Sequence, residues 1–317
     1  MTAFQDRRGG SDDDEVVKVH GLVKSIGRAR VLDDVGLRVH RGEIHAVLGP
    51  DGAGKTTLLR ILAGQLSSDA GTVLVFGVQP WREPSLVHRR TAMVLGEVAL
   101  WPALSGGAAI ERLAAQHGGV DPERRDSLLA LLGLDPSRSV HRHHGSERRK
   151  LALVAALSGR AELVLLDEPM AGLTEPQKDS LRLWLRTRRA TDQTVLLAGH
   201  VLSELESAAD RITIMQRGRV VDSGSPAEVR QLTRTFVSAE LDCPAPDLED
   251  LAEVHNFVRY RNTVHCEVDT DHLDQVLRRL LDCGLRSLTS RPATLQDLLQ
   301  GERMSVGRVL AEHGSGS

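Results

Sequence analysis

Apolar and polar residues alternate from Val16 to Val23 and again from Asp34 to Val39, the pattern of half-buried strands, with a turn around Lys24 to Arg30 between them. Short continuous apolar runs follow. A strand opening at Glu43 and the segments Gly71 to Gly77, Thr91 to Leu95, Leu163 to Glu168 and Thr194 to Ala198 read as strands, so an antiparallel edge leads into a parallel core. Helical spacing covers Gly107 to Gln116, Pro122 to Leu132, Glu147 to Ser158 and Gln177 to Arg189, with a short helix at Leu202 to Ala209. Arg211 to Met215 and Arg219 to Asp222 read as a hairpin, and Pro226 to Leu232 as a closing helix. This order predicts an α/β domain over residues 16–232.

Beyond Thr233 the pattern changes to short strands and two helices. Phe236 to Leu241, Val254 to Tyr260, Val264 to Val268 and Leu285 to Arg291 are strands, and Asp247 to Ala252 and Asp271 to Leu281 are helices. The order β-α-β-β-α-β predicts a small ferredoxin-like α+β domain over residues 233–301. It carries no catalytic constellation, which leaves a regulatory or dimer-supporting role. Residues 1–15, with the acidic run Asp12 to Glu15, are expected to be a disordered tail, and residues 302–317 a flexible one.

The most informative segment runs from Glu43 through Gly49-Pro50-Asp51-Gly52-Ala53-Gly54-Lys55-Thr56-Thr57. A strand, a glycine-rich turn and an amphipathic helix follow one another there. Glycines at 49, 52 and 54 let successive backbone N–H groups converge on the phosphates of a nucleotide, and the helix dipole adds to them. Lys55 would reach the β- and γ-phosphates, and the Thr56 hydroxyl would ligate Mg²⁺.

A second apolar strand ends in adjacent carboxylates, Asp167 and Glu168. Strand tips are where open α/β sheets bind ligands. Asp167 would hold Mg²⁺ through its water shell and Glu168 would polarise the attacking water; an acidic cap for the next helix is the plainer reading of the pair. His200 follows a third apolar strand, placed to contact the γ-phosphate or, more plainly, to cap a strand end.

Together these residues resemble the nucleotide-binding subunit of an ABC transporter, over Val16 to about Leu232. The single domain with an extension is most similar to the daunorubicin-type (ABC-2) drug-export ATPases. The resemblance implies a P-loop NTPase fold with a mixed sheet core, an antiparallel edge sheet and a helical subdomain at about 97–158. It also implies MgATP, a separate multi-spanning permease, a second nucleotide-binding domain paired head to tail, and a cytoplasmic site peripheral to the cell membrane.

Several positions depart from the family pattern. Ile26 replaces the adenine-stacking aromatic, and Glu97 replaces the Mg²⁺-contacting glutamine. His143-His144-Gly145-Ser146-Glu147 aligns with the signature Leu-Ser-Gly-Gly-Gln, and Thr174 stands where an aspartate is usual. Since each ATP lies between one chain's phosphate loop and its partner's signature, these changes affect the partner's site more than this one.

Composition narrows the alternatives. At 317 residues and 41% hydrophobic, the chain has room for two domains, and no apolar run approaches the ~18 residues that cross a bilayer. A net charge of −3 argues against nucleic acid as a partner. Cys243, Cys266 and Cys283 lack a metal-binding spacing and fit reduced thiols; His141, His143 and His144 fit a solvated loop better than a metal site. A non-transport, nucleic-acid-associated or regulatory ATPase and a binding-only pseudo-ATPase are the competing functions.

Overall fold

The computed structural model describes residues 14–96, 98–187, 193–231, 234–243, 248, 250–269 and 272–292. Two compact units divide the chain between Gly224 and Ser225.

In the first unit, β1 (Glu15–Ile26) pairs antiparallel with β2 (Ala29–His40) on one side and with β4 (Ala70–Val75) on the other. The hairpin turn is tighter than the sequence suggests. Ile26 pairs with Ala29, and Gly27 at φ 61° takes the left-handed conformation that a two-residue turn needs. Glu15, expected in the tail, instead starts β1 opposite His40, and the Arg41 N–H donates to the Asp14 carbonyl at 2.9 Å.

The second sheet has six strands: β3 (Ile44–Leu48), β5 (Thr91–Val94), β6 (Leu163–Asp167), β7 (Thr194–Gly199), β8 (Arg211–Gln216) and β9 (Arg219–Gly224), in the order β5-β6-β7-β3-β8-β9. All pairs are parallel except β8–β9. Every residue of β3, β6 and β7 is buried, which is why these strands read as unbroken apolar runs. Helix α1 (Lys55–Leu62) buries Leu58, Leu59, Ile61 and Leu62 in one cluster with Val17 and Leu22 of the first sheet and Leu163, Leu165 and Leu196 of the second.

α2 (Pro84–Arg90) was not expected, since Val87 is its one buried apolar residue. α3 (Gly106–Ala114), α4 (Pro122–Leu132) and α5 (Gly145–Ser158) form the helical region. Ser105 caps α3 by accepting from the Ala108 N–H, and Asp121 caps α4 by accepting from the Arg124 N–H. α5 starts two residues earlier than its apolar spacing predicts, because the Glu147 carboxylate accepts the His144 N–H at 3.0 Å and so fixes the first turn. α6 (Glu175–Thr187) follows; α7 stops at Leu202–Leu205, where the sequence suggested a helix to Ala209.

In the second unit, α8 (Pro226–Gln231) precedes β10 (Arg234–Leu241), β11 (Val254–Tyr260), β12 (Thr263–Asp269), α9 (Leu273–Asp282) and β13 (Leu285–Pro292). The sheet is antiparallel in the order β11-β12-β10-β13, the pairing of a split β-α-β unit. Val276 and Leu280 of α9 pack with Val237, Ala239 and Val264. Of the helix expected at Asp247 to Ala252, residues 247 and 249 lie outside the described residues, and Leu248 and 250–252 form turns, with the Leu251 N–H bonded to the Leu248 carbonyl. A segment this short offers little to offset helix nucleation. The expected tails lie mostly outside the described residues, which begin at 14 and end at 292.

An ion cluster fixes the strand starts of the larger sheet. Glu162, just before β6, binds Arg90 at 2.6 and 2.8 Å and Arg41 at 2.9 Å. The Arg90 hydrogen bonds, helped by Arg41, outweigh desolvation and hold its carboxyl down at about 2. A depressed carboxylate stabilises the fold above its unfolded pKa and loses that contribution as pH falls through the folded value. Glu162→Gln should therefore lower stability at neutral pH by about 1 kcal/mol, a figure discounted for solvent screening. The gap from wild type should narrow as pH falls from 4.5 to about 2. Urea midpoints measured across that range check it; a constant gap would contradict it.

Candidate active site

Parallel pairing in register puts three strand tips at one rim. Leu48 of β3 lies opposite Gly199 of β7, and Asp167 of β6 opposite Ala198. The next residues are tied across the rim: the Gly49 N–H donates to the Gly199 carbonyl at 3.1 Å and the Glu168 N–H to the Ala198 carbonyl at 2.9 Å.

Residues 49–54 form the loop between β3 and α1. Gly54 has φ 99°, and a Cβ there would stand 2.6 Å from Leu32 Cδ2 and 2.9 Å from the Val31 carbonyl. At Gly49 a Cβ would meet the Met215 carbonyl at 2.5 Å. Both positions require glycine for space. Gly52 is left-handed too, at φ 77°, and Ala53, whose N–H donates to the Pro50 carbonyl, is buried. Asp51 is exposed at the loop's outer edge, and Thr57 is half-buried in the first turn of α1.

Lys55 is buried except for 6% of its surface, and its Nζ donates to the Gly49 carbonyl at 2.6 Å and the Pro50 carbonyl at 3.0 Å. Its ammonium also lies 3.9 Å from Glu168 Oε1. The charge is thus held at the loop's centre. The Thr56 hydroxyl donates to Asp167 Oδ2 at 2.7 Å. Asp167 Oδ1 is buried and has no hydrogen-bond partner among the described residues. A buried carboxylate oxygen left unpaired is costly unless a cation or water meets it, so the Thr56–Asp167 pair fits a hard divalent ion with oxygen ligands.

His200 Nδ1 lies 3.0 Å from Glu168 Oε2 and donates to it in the tautomer that carries the proton on Nδ1. Its backbone sits at φ 50°, a left-handed conformation uncommon outside glycine. That turn swings the carboxylate out of the strand's alternation toward Lys55 and His200. Ligand atoms of Asp51, Glu168 and His200 fall within 4.8 Å of one another. The plainer readings do not hold: α6 starts at Glu175, too far along for Asp167 or Glu168 to cap it, and the His200 ring turns to Glu168.

The structure adds a residue to which the sequence assigned no role. Arg149, in the second turn of α5, donates through Nη1 to the Gly96 carbonyl at 3.1 Å and through Nη2 to the carbonyls of Asp167 and Glu168, the latter at 3.2 Å. One guanidinium thereby holds the ends of β5 and β6 together. Its trace in the sequence is the run Arg148-Arg149-Lys150: successive helical residues point about 100° apart, so three cannot share one solvent face. Glu97, expected at the ion, lies outside the described residues.

Before α5 the solvated-loop reading of the histidines holds for His141 and His144, which are exposed, and needs correction at His143. His143 is 3% exposed, with Nδ1 3.4 Å from Glu147 Oε2. The Ser146 Cβ stands 3.2 Å from where a Cβ on Gly172 would be, so the start of α5 passes close to the loop after β6 while Ser146 itself stays exposed. Ile26 is 52% exposed in the hairpin.

Comparison with known proteins identifies the family. A family model described as ABC transporter matches residues 32–171. The daunorubicin resistance ATP-binding protein DrrA3 of Streptomyces coeruleorubidus is 35% identical over 225 residues, covering 69% of this chain and 71% of that protein. The chain belongs to the family of ABC transporter ATP-binding proteins. As an ABC protein it is an ATPase, the ATP-binding subunit of a transporter. The uncharacterized ABC transporter ATP-binding protein YdbJ of Bacillus subtilis is 30% identical over 288 residues, 89% of this chain and 93% of that one. The sulfate/thiosulfate import ATP-binding protein CysA of Bordetella parapertussis is 36% identical over 225 residues, but the match spans 63% of its length. Among solved structures, an ATP-binding subunit of an ABC transporter superposes with TM-score 0.60 at 26% identity, over 68% of this chain and 92% of its own. A dimeric post-hydrolysis cassette, MJ0796 with ADP and Pi, shares the fold at TM-score 0.58 and 20% identity, over 66% and 98%.

Arg149 positions the backbone of Asp167 and Glu168 in this ABC ATPase. Arg149→Ala should lower kcat for ATP about ten- to a hundredfold, the cost of displacing groups beside the reacting atoms by a fraction of an ångström. Binding of MgATP should stay within about threefold, since the loop is untouched. Arg149→Lys, which lacks the planar fork, should not restore turnover. Steady-state kinetics with a nucleotide-binding titration check this; unchanged kcat in a folded Arg149→Ala protein would contradict it.

Proposed function

We propose that this ABC ATPase drives a separate multi-spanning permease that exports a small molecule such as a drug or antibiotic. The observation that carries the ATP-hydrolysing half of this reading is the convergence at one rim of Lys55, the Thr56–Asp167 pair with its unpartnered oxygen, and the Glu168–His200 contact. The loop from Gly49 to Gly54, with Lys55, Thr56 and Thr57, holds the triphosphate. Thr56 and Asp167 hold Mg²⁺, with Glu97 the third member of the proposed set. When bound, the ion offsets the negative charge of the β- and γ-phosphates. Glu168 takes the proton of the attacking water, and His200 orients that carboxylate and faces the γ-phosphate.

Export is supported by similarity to DrrA3 and to the daunorubicin/doxorubicin resistance protein DrrA of Streptomyces peucetius, 33% identical over 221 residues. Import ATPases are as similar in sequence, so the C-terminal extension and the match to YdbJ across most of the chain favour a single cassette with an accessory domain. The membrane part is assigned to another chain. No helix among the described residues is long and apolar enough to cross a bilayer. The proposed location is the cytoplasmic side, peripheral to the membrane through the permease; nucleic acid is not among the proposed partners.

The second nucleotide-binding domain is the other partner, and Ser146 bears on its identity. With an exposed side chain close to Gly172, this position does not leave the bare backbone that a glycine signature presents across a dimer. A heterodimer in which another chain supplies an intact signature suits the site better than a homodimer, which would carry the altered sequence twice.

Glu168→Gln should reduce ATP turnover at least about a hundredfold while leaving MgATP binding intact. Turnover of the wild type measured against that blank over a range of protein concentrations tests the reading; no difference between the two with tight MgATP binding would instead point to a missing partner chain or a binding-only protein. In the same assay, His144→Ser with Ser146→Gly should raise self-paired hydrolysis several-fold. Unchanged turnover would sink the heterodimer argument while leaving the hydrolysis argument standing.

A further inference from the structure

The second unit brings two of the three cysteines face to face. β10 ends at Leu241, whose partner is Leu285, the first residue of β13. The pairing continues past both strand ends: the Asp242 N–H donates to the Gly284 carbonyl at 2.7 Å and the Cys243 N–H to the Cys283 carbonyl at 3.3 Å. Cys243 and Cys283 are therefore directly opposite each other. Opposed residues of an antiparallel pair have Cα atoms about 4.5–5.5 Å apart, inside the ~4.4–6.8 Å window that a disulfide requires.

Two neighbouring features fix this crossing. Gly284, at φ 75°, lets the chains approach so closely that a Cβ on it would stand 2.9 Å from the Asp242 Cβ. The Arg286 guanidinium bonds the Asp242 carboxylate across the same gap. The Cys243 Sγ already lies 3.0 Å from the Cys283 carbonyl oxygen. Both thiols are half-buried, which leaves them reachable by a small reagent.

We propose that Cys243 and Cys283 are a thiol pair that closes into a reversible intrachain disulfide under a low-molecular-weight disulfide oxidant. One cysteine thiolate attacks the oxidant's S–S bond, forming a mixed disulfide and releasing one small thiolate. The second cysteine, deprotonated, attacks the protein sulfur of that mixed disulfide and releases the other. The two cysteine sulfurs lose two electrons to the oxidant, and the two protons end on the released small thiols. The closed pair staples the end of β10 to the end of α9 and the start of β13, so the second unit carries a redox-dependent lock.

The chemistry also sets which cysteine stays out. Cys266, on β12, is 4% exposed, and burial helped by the Glu267 charge pushes its thiol up to about 12. Burial and the Cys243 thiol raise Cys283 as well, so closure should be slow at neutral pH and speed up as pH rises.

The test uses the full-length chain with glutathione disulfide as the probe, followed by denaturation, alkylation of free thiols and intact mass. One alkylated cysteine in place of three, a chain still monomeric without reductant, and a cross-linked peptide pair containing Cys243 and Cys283 are the expected result. Dithiothreitol should restore all three. Cys243→Ser and Cys283→Ser should each stop at a glutathione adduct on the remaining member of the pair, and the oxidised wild type should show a higher melting midpoint for the second unit than either variant. Three alkylatable thiols after prolonged incubation at mildly alkaline pH, a bridge that includes Cys266, or bridges between chains would overturn the proposal.

Discussion

Everything at the rim depends on the register of three parallel strands. β6, β7 and β3 are buried on both faces, so their residues are mostly apolar and the exposed polar chemistry gathers at their tips. With Leu48 opposite Gly199 and Asp167 opposite Ala198, the phosphate loop, the two carboxylates and His200 leave the sheet together. A slip of one residue would move Glu168 by about 3.3 Å and turn its strand's side chains to the other face. The 3.0 Å contact to His200 and the Thr56–Asp167 hydrogen bond would both be lost.

One polar residue inside β3 helps to hold that register. His45 is 1% exposed, with Nδ1 3.0 Å from Glu43 and Nε2 2.8 Å from the Thr213 hydroxyl, which reaches Ser223 at 2.9 Å. Desolvation raises the Glu43 carboxyl, but bonding to His45 and to the His40 N–H outweighs it and leaves it lowered. The chain of contacts crosses from β3 to β8 and β9. In any other register His45 would be a buried polar ring without these partners, which makes the shifted pairing costly.

What could be read from sequence follows from how local its cause was. The glycine-rich loop is contiguous, and glycine, lysine and threonine at fixed spacing specify its geometry, so the turn between β3 and α1 forms where the sequence puts it. The buried strands were legible because a parallel sheet demands unbroken apolar runs. Arg149 was not, because its partners are backbone carbonyls of three residues on two other elements, and a carbonyl leaves no mark in the sequence. The left-handed turn at Glu168 likewise has no residue-type signal, since glutamate is not a residue that favours it. His143 looked like one member of a polar trio, and tertiary packing near Leu151 and Gly106 buries it. At the helix expected over 247–252 local spacing misled in the converse way: Leu248 is buried and Leu251 packs on the same core, and the described residues there are not helical.

Helix α5 joins the two themes. Its first turn contains Ser146, where the family pattern is altered, and Arg149 lies three residues later, about 4.5 Å along the axis. A single turn of helix is stiff, so a shift of its first turn carries the guanidinium with it. The guanidinium holds the carbonyls of Asp167 and Glu168, and Glu168 holds His200. Within one chain, the surface offered to a partner's nucleotide and the carboxylates that serve its own are therefore mechanically linked. An altered signature thus constrains this chain's site as well as its partner's. The glycine-rich loop lies on a separate strand and helix and meets this linkage only at the carboxylates, through the Thr56–Asp167 hydrogen bond and the 3.9 Å approach of Lys55 to Glu168.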